Sequence, residues 1–182
     1  MSDSGVPRTT ILNAQSINRV LTRIAHEIAE RNDQSQHVVV VGVQRGGIHL
    51  ADRLGQLLAP PAPGVPRWRR EVVGMHRDDL DQHVAPQIMP TTIPFDLNGK
   101  TVVLVDDVLY SGRTIRAALD ALNDFGRPCR VQLAVLVDRG HRELPIKPDF
   151  VGKNVPTSLH ERIDVRLREE GGEEAVYLEK AS

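Results

Sequence analysis

Three stretches of the chain are dominated by β-branched and aliphatic residues, namely Val38–Val43, Thr101–Val105 and Arg130–Val137. Apolar runs of this kind predict strands that are buried on both faces of a parallel sheet. Helices are predicted after the first two runs, over residues 48–59 and 115–122. Alternating buried strands and helices predict an α/β domain in which a mostly parallel sheet is flanked by helices.

The pattern differs towards both ends of the chain. Residues 1–12 are predicted to form a poorly ordered arm or an edge strand. An amphipathic helix is predicted over 13–31, with Asn13 as its N-cap. Near the other end, Phe150–Lys153 is a candidate short strand, and residues 163–179 are predicted to form a closing hairpin around a Gly-Gly turn.

Composition narrows the class of protein. The 182 residues are sufficient for a single domain spanning 1–182. A net charge of −1 gives no overall attraction to nucleic acid, so RNA would need a local basic face. Cys129 has no partner for a disulfide and precedes an apolar run, which predicts a buried thiol. Because no run is long enough for a membrane span and no signal or lipidation motif is present, we expect a cytoplasmic protein without membrane contacts.

The candidate chemistry lies after the second apolar run. Asp106 and Asp107 follow that strand, and a short turn containing Ser111 and Gly112 leads into the next helix. Backbone N–H groups at the start of a helix can hold a dianionic phosphate. The two carboxylates can accept charge-assisted hydrogen bonds from a cis-diol. This spacing predicts a site for a sugar phosphate.

A strand that ends in two aspartates is also typical of an ATPase metal-binding strand or of an aspartate that accepts phosphate. The ATPase alternative needs a phosphate loop, and the nearest match is 94–101. There Pro94 replaces the first glycine, and the Lys100-Thr101 pair enters a strand instead of a helix, so the geometry is reversed.

A second candidate anion site follows the first apolar run, where Gln44-Arg45-Gly46-Gly47 separates strand from helix. A strand, a Gly-rich turn and a helix N-terminus form an anion site in many α/β proteins. The alternative is that the two glycines only permit close packing of the helix on the sheet.

The thirteen residues Val102–Thr114 resemble the phosphoribosyl-pyrophosphate motif of the type I phosphoribosyltransferases. Together with Gly126–Pro128, Leu133–Ile146 and Phe150–Ser158, they resemble one subfamily closely. It is the PyrR family of bifunctional pyrimidine operon regulators with uracil phosphoribosyltransferase activity. The resemblance extends from about Ile17 to Lys180. It implies transfer of phosphoribose from phosphoribosyl pyrophosphate to uracil, giving UMP, with Mg²⁺ held mainly by substrate oxygens.

The resemblance also implies roles for individual residues. Asp106, Asp107 and Arg77 are the expected catalytic residues. Arg77 opens a flexible flap, residues 77–92, that closes over the substrate. Asp138, Arg139 and Gly140 are expected to meet the base from a hood, residues 138–160. The residues expected to bind phosphoribosyl pyrophosphate or UMP are Gln44, Arg45, Gly46, Gly47, Asp78, Asp79, Val108, Leu109, Tyr110, Ser111, Gly112, Arg113 and Thr114.

Two segments leave alternatives open. The histidines and aspartates of 76–83 would fit a metal site, although a mobile polar loop is the commoner explanation. The order Arg45-Gly46-Gly47 departs from the Thr-Arg-Gly order usual in the subfamily and resembles other type I transferases. A transferase for another base, such as a purine, and a binding-only regulator without turnover therefore remain as alternatives.

The resemblance further implies an RNA-binding surface that recognises structured mRNA leader hairpins. Its matching positions are Thr22, Arg23, His26, Arg142 and Lys153. The first three lie on the outer face of the predicted first helix, for which an ordinary solvated surface is the alternative. Leu159 stands where the subfamily usually has arginine. We expect a homodimer or larger homo-oligomer that joins copies of this surface.

Overall fold

The computed structural model describes residues 8–33, 37–58, 72–78, 87–90 and 96–180, with the backbone alone for 72–78, 87–90, Gln44 and Arg45. Two short 3-10 turns lie at Asn123–Phe125 and Arg168–Glu170. The helices and strands are β1 (Arg8–Asn13), α1 (Ala14–Arg31), β2 (Val38–Val43), α2 (Gln44–Leu57), β3 (Val72–Asp78), β4 (Gln87–Pro90), β5 (Thr101–Leu109), α3 (Arg113–Leu122), β6 (Arg130–Asp138), β7 (Phe150–Asn154), β8 (Glu161–Arg166) and β9 (Ala175–Lys180).

The larger sheet has six strands in the order β4-β3-β2-β5-β6-β7. All neighbours pair in parallel except β4, which is antiparallel to β3. The strand order therefore reverses between β2 and β5. Ligands of open α/β sheets bind outside the carboxyl ends of the strands at such a switch point. The predicted α/β fold is confirmed. Its topology predicts a ligand site at the carboxyl ends of β2 and β5.

The apolar strands are buried because both faces of the sheet are covered. Val103 and Val105 of β5 belong to one core cluster, which includes apolar residues of α1 and α2. Val102 and Leu104 belong to a second cluster, which includes Ile115 of α3. Side chains of a strand alternate between its faces, so a strand covered on both faces needs an unbroken apolar run.

The smaller sheet has the order β1-β9-β8 and is antiparallel throughout. Its hairpin confirms the predicted one, and β1 shows that residues 8–12 form an edge strand. Arg53 of α2 connects this sheet to the larger one, because its guanidinium donates to Glu169 at 2.6 and 2.7 Å and pairs with Glu174 at 2.5 Å. Burial alone would lower the pKa of Arg53, but these two carboxylates raise it above its ordinary value.

Helix α1 begins as the sequence predicts. The Asn13 side chain accepts a hydrogen bond from the Ser16 backbone N–H at 2.9 Å, which satisfies one of the free donors of the first turn. The residues buried against the sheet are Ile17, Leu21, Ile24, Ala25 and Ile28. The opposite face, with Thr22, Arg23 and His26, is exposed as predicted.

The two predicted anion-binding turns differ from the structure. Strand β5 does not end at Val105 but continues to Leu109, because β6 pairs with it as far as Asp138. Helix α2 begins at Gln44 instead of Ile48, so the predicted turn 44–47 is the first turn of the helix. Glycine makes this start possible, because a Cβ atom at Gly47 would overlap the Val105 carbonyl oxygen.

One further prediction needs correction, and another gains detail. Within the predicted flap, residues 77–92, Arg77 and Asp78 belong to β3 and pair with Ile88 and Gln87 of β4. The rest of the flap, apart from Met89 and Pro90, lies outside the described residues. Cys129 is exposed, so the predicted buried thiol is wrong. It precedes β6, whose fully buried part begins only at Gln132, three residues later.

Candidate active site

A cavity of about 490 Å³ opens at the carboxyl end of β5. This is the switch-point edge that the topology indicates. Its volume is within the usual range for a small-ligand site. The wall combines the stretch predicted from the sequence with residues from the hood and from β8: Asp106, Asp107, Val108, Leu109, Tyr110, Ser111, Gly112, Arg113, Thr114, Ile115, Arg139, Arg162 and Ile163.

Ser111–Thr114, the predicted phosphate cradle, lie at the start of α3. Gly112 is the N-cap residue and has a φ of 89°, a left-handed conformation that favours glycine. Because glycine has no side chain, the N-cap residue does not occupy the backbone amides of the first turn. The Ser111 hydroxyl accepts the Arg113 backbone N–H at 3.3 Å. The first-turn amides and the helix dipole make this end of α3 suitable for a phosphate.

The acidic pair lies on the same wall but in two environments. Asp106 is only 3% exposed, whereas Asp107 is half-buried. The Asp107 carboxylate accepts the Val108 backbone N–H at 2.7 Å. A Cβ atom on Gly46 would lie 2.5 Å from the other Asp107 oxygen, so this carboxylate contacts the first turn of α2. The structure thus brings together the predicted diol-binding and diphosphate-binding groups.

The hood side chains predicted to meet the base are used within the hood. The Asp138 carboxylate accepts bonds from Arg142 at 2.6 Å and from the Gly140 N–H at 3.0 Å. Arg139 is 9% exposed and donates to the Thr157 hydroxyl at 3.0 Å and to the Glu161 carbonyl at 2.8 Å. These side chains hold the shape of the hood, although Arg139 also lines the cavity.

Arg142, which is predicted to bind RNA, makes several contacts within the protein. Its side chain is 22% exposed. Besides its bond to Asp138, its guanidinium donates to the Tyr110 carbonyl at 2.8 Å and to the Ile146 carbonyl at 3.0 Å. Arg142 therefore ties the hood to the cavity wall. Sequence reasoning missed this role because it depends on a turn made far from Tyr110 along the chain.

Tyr110 carries an aromatic contact that the sequence did not predict. The Arg139 guanidinium lies 4.3 Å from the centre of its ring, and His141 meets the ring edge-on at 6.1 Å. The His141 ring nitrogen Nε2 is 2.6 Å from the Thr157 carbonyl oxygen. Tyr110 is nevertheless 38% exposed, so part of an ordered ring faces the cavity.

Four of the five predicted RNA-binding residues lie where α1 meets β7. Arg23 donates to the Val151 and Gly152 carbonyls at 2.9 and 2.8 Å and pairs with Glu27 at 2.6 Å. Lys153, the residue after Gly152 in β7, is exposed. We call the exposed residues Thr22, Arg23, His26 and Lys153 the basic surface.

Five predicted site residues have side chains outside the described part of the structure. The side chains of Gln44, Arg45, Arg77 and Asp78 are not described, and Asp79 lies outside the described residues. Much of the alternative metal cluster of 76–83 falls there too. Among the described residues, no group of three His, Cys, Asp or Glu side chains could hold a metal ion. Asp106 and Asp107 are the cavity carboxylates that could assist Mg²⁺. No helix in the described ranges is long and apolar enough to cross a membrane.

Comparison with known proteins defines the class. Residues 7–169 match the model of the phosphoribosyl transferase domain. The hypoxanthine phosphoribosyl transferase of Trypanosoma cruzi has a TM-score of 0.75 at 15% identity, covering 99% of this chain and 95% of that one. A hypoxanthine-guanine phosphoribosyltransferase of Bacillus anthracis gives 0.67 at 17%, covering 81% and 82%. The chain belongs to the phosphoribosyltransferase family and has the type I fold.

Curated relatives define the subfamily. The "Bifunctional protein PyrR" of Roseiflexus sp. is 58% identical, covering 92% of this chain and 93% of the relative. Proteins of the same name from Chloroflexus aurantiacus and Deinococcus radiodurans are 54% and 53% identical, with at least 94% of each chain covered. The chain therefore belongs to the PyrR family, which combines uracil phosphoribosyltransferase activity with regulation of pyrimidine genes. The resemblance found in the sequence is confirmed.

Proposed function

We propose that the chain makes UMP from uracil and phosphoribosyl pyrophosphate in the 490 Å³ cavity, and that UMP bound there controls its binding to structured mRNA leaders. This proposal rests on the observation that the phosphate cradle and both carboxylates line one cavity. The 5′-phosphate is assigned to Ser111–Thr114, and the ribose diol to Asp106 and Asp107. The diphosphate is assigned to the start of α2, beside Gly46.

The reaction needs positioning and charge stabilisation more than a nucleophile. As the bond from C1 of the ribose to the diphosphate breaks, the sugar gains oxocarbenium character. Mg²⁺ bound to the diphosphate supplies charge neutralisation for the leaving group. Asp107 lies between cradle and α2, where it can orient the diol and favour the developing positive charge. The hood holds uracil with N1 facing the ribose, so that N1 forms the bond to C1′ as the diphosphate leaves and the N1 proton is released.

Turnover with different bases tests the enzymatic proposal. We expect the purified protein to form UMP from uracil and phosphoribosyl pyrophosphate in the presence of Mg²⁺, measured by release of diphosphate. Hypoxanthine and guanine in place of uracil provide the comparison. Faster turnover of a purine would favour the alternative transferase. UMP binding without turnover of any base would favour the binding-only regulator.

The RNA proposal rests on the basic surface. Arg23, whose charge is partly offset by Glu27, contacts β7, and Lys153 of that strand adds an exposed positive charge on a chain of net charge −1. A two-fold homodimer, or a larger homo-oligomer, would place copies of this surface side by side and enlarge the basic area. UMP in the cavity would then be coupled to RNA on the surface. Coupling of this kind is reciprocal, so RNA must strengthen UMP binding by the same factor.

Replacing Lys153 or Arg23 by alanine should weaken binding of the leader hairpin from the protein's own operon while leaving uracil turnover within about threefold. Each lost phosphate contact should reduce the slope of log K against log salt by roughly 0.7–0.9. Gel shifts with UMP over a range of salt measure both effects. Arg116→Ala, which removes an exposed arginine from α3, is the matched control. An equal loss in that variant would show that net charge, not this surface, determines the affinity.

A further inference from the structure

Three arginines line the cavity, and they differ in what their side chains bind. Arg113 pairs with Glu143 at 2.6 Å, so its charge is offset. Arg139 is buried, with its Nε and one terminal nitrogen bonded to the hood. Arg162 is exposed, and within the described part of the chain its side chain has neither a hydrogen bond nor an ion pair. It is the cavity arginine with an uncommitted guanidinium.

The backbone around Arg162 is held in place by the contacts of its neighbours. The Glu161 carbonyl accepts a bond from Arg139 at 2.8 Å, and the Glu161 carboxylate accepts the Ser158 N–H at 2.7 Å. Ile163 is buried in the core cluster. The Arg162 backbone lies opposite Glu179 in the register of β8 and β9, and no ion pair joins the two side chains within the described residues. The Arg162 backbone is therefore held on both sides. Its guanidinium lines the cavity without a described protein partner.

We propose that Arg162 is a further substrate-binding residue whose guanidinium binds phosphate oxygens of the phosphoribosyl ligand. This inference rests on the proposed function, since it assigns a phosphate-bearing ligand to the same cavity. Phosphate is the chemistry that the guanidinium fork matches best, because two parallel N–H donors can meet two oxygens. The cradle at α3 supplies amides but little net charge, given that Glu143 offsets Arg113. Arg162 adds positive charge to the cavity from β8.

Arg162 can offset the negative charge of the two cavity aspartates. Asp106 and Asp107 repel an incoming polyanion, whereas an unpaired arginine at the rim attracts it. The small sheet therefore contributes to the active site, and its attachment to α2 through Arg53 keeps Arg162 at the rim. Sequence reasoning missed Arg162 because nothing in the spacing of the hairpin shows that β8 reaches this cavity.

Binding of UMP and of uridine to Arg162→Gln separates this role from others. We expect the Kd of UMP and the KM of phosphoribosyl pyrophosphate to rise about tenfold, as for the loss of a charge-assisted bond. The Kd of uridine, which has no phosphate, should change by less than about twofold. Arg162→Lys should recover part of the UMP affinity. Calorimetry measures the affinities, and urea unfolding checks that the variants fold.

Arg166→Gln is the matched control, because it removes the same charge from the same strand. Arg166 pairs with Asp164 at 2.8 Å, and it is absent from the cavity wall. Unchanged UMP affinity in Arg162→Gln, or an equal loss for uridine, would overturn the inference while leaving the proposed function intact. Failure of the native protein to bind UMP would instead overturn the proposed function, and this inference with it.

Discussion

Replacing Asp107 by asparagine is expected to lower the rate of UMP formation at least about tenfold and to weaken UMP binding. The change keeps the shape of the side chain but removes its charge. A hydrogen bond to a charged group contributes about 1.5–3 kcal/mol, which corresponds to a loss of roughly ten- to a hundredfold. Asp107 is placed for such bonds, because it lines the cavity and contacts the first turn of α2 at Gly46. Steady-state kinetics and UMP calorimetry provide the measurements.

Asp106→Asn should lower activity as well, since the Asp106 carboxylate lines the same wall. Its burial adds a second effect, so unfolding in urea must accompany the kinetics. Asp120→Asn on α3 serves as the control. That side chain is 74% exposed, and its pair with Arg116 is long, at 3.9 Å. Near-normal kinetics and UMP affinity in both the Asp106 and Asp107 variants would be incompatible with the assignment of the ribose diol to this pair.

The contact between Gly46 and Asp107 also gives a physical reason for the altered order of the diphosphate-binding turn. The family usually has arginine at the position of Gly46, but here even a Cβ atom would lie 2.5 Å from the Asp107 carboxylate. With α2 starting at Gln44, a side chain at position 46 would displace either the helix or the acid. Glycine at 46, with arginine one position earlier, is therefore consistent with this backbone.

Local patterns were sufficient to predict most of the fold. The apolar runs of β2, β5 and β6 identified the buried strands, because a strand covered on both faces has no polar positions to interrupt it. The Asn13 cap and the start of α3 were predicted to within two residues, since capping depends on nearby side chains. The Asp106–Thr114 wall followed from the same logic, because its acids and its helix N-terminus are neighbours in sequence.

Features set by distant partners could not be predicted. The extension of β5 to Leu109 depends on pairing with β6, and the strand β4 depends on pairing with β3. The inward orientation of Arg142 depends on the Tyr110 carbonyl, 32 residues away. Arg162 enters the cavity only because the small sheet packs beside β5. In each case, the structure depends on a contact between distant segments. Nothing in their spacing along the chain predicts that contact.

Replacing Arg142 by alanine is expected to lower the free energy of unfolding by about 3 kcal/mol. This is the low end of the cost of removing one partner of a buried charge pair, because Arg142 and Asp138 are only partly buried. The Asp138 carboxylate would lose its 2.6 Å partner, and the carbonyls of Tyr110 and Ile146 would lose a donor. Because those bonds join the hood to the cavity wall, the KM for uracil should rise in the same variant. Urea unfolding and uracil kinetics measure the two effects.

A double-mutant cycle with Asp138→Asn separates this structural role from a contact with RNA. If Arg142 mainly neutralises Asp138, removing both groups should cost less than the sum of the single changes, because neither charge is then left alone. Arg142→Lys should not restore full stability, since one ammonium group cannot reach the acceptors that the guanidinium bridges. An Arg142→Ala variant that kept native stability and uracil KM but no longer bound the leader hairpin would support an RNA contact of Arg142. Coupled losses of stability and uracil binding would instead show that Arg142 stabilises the hood.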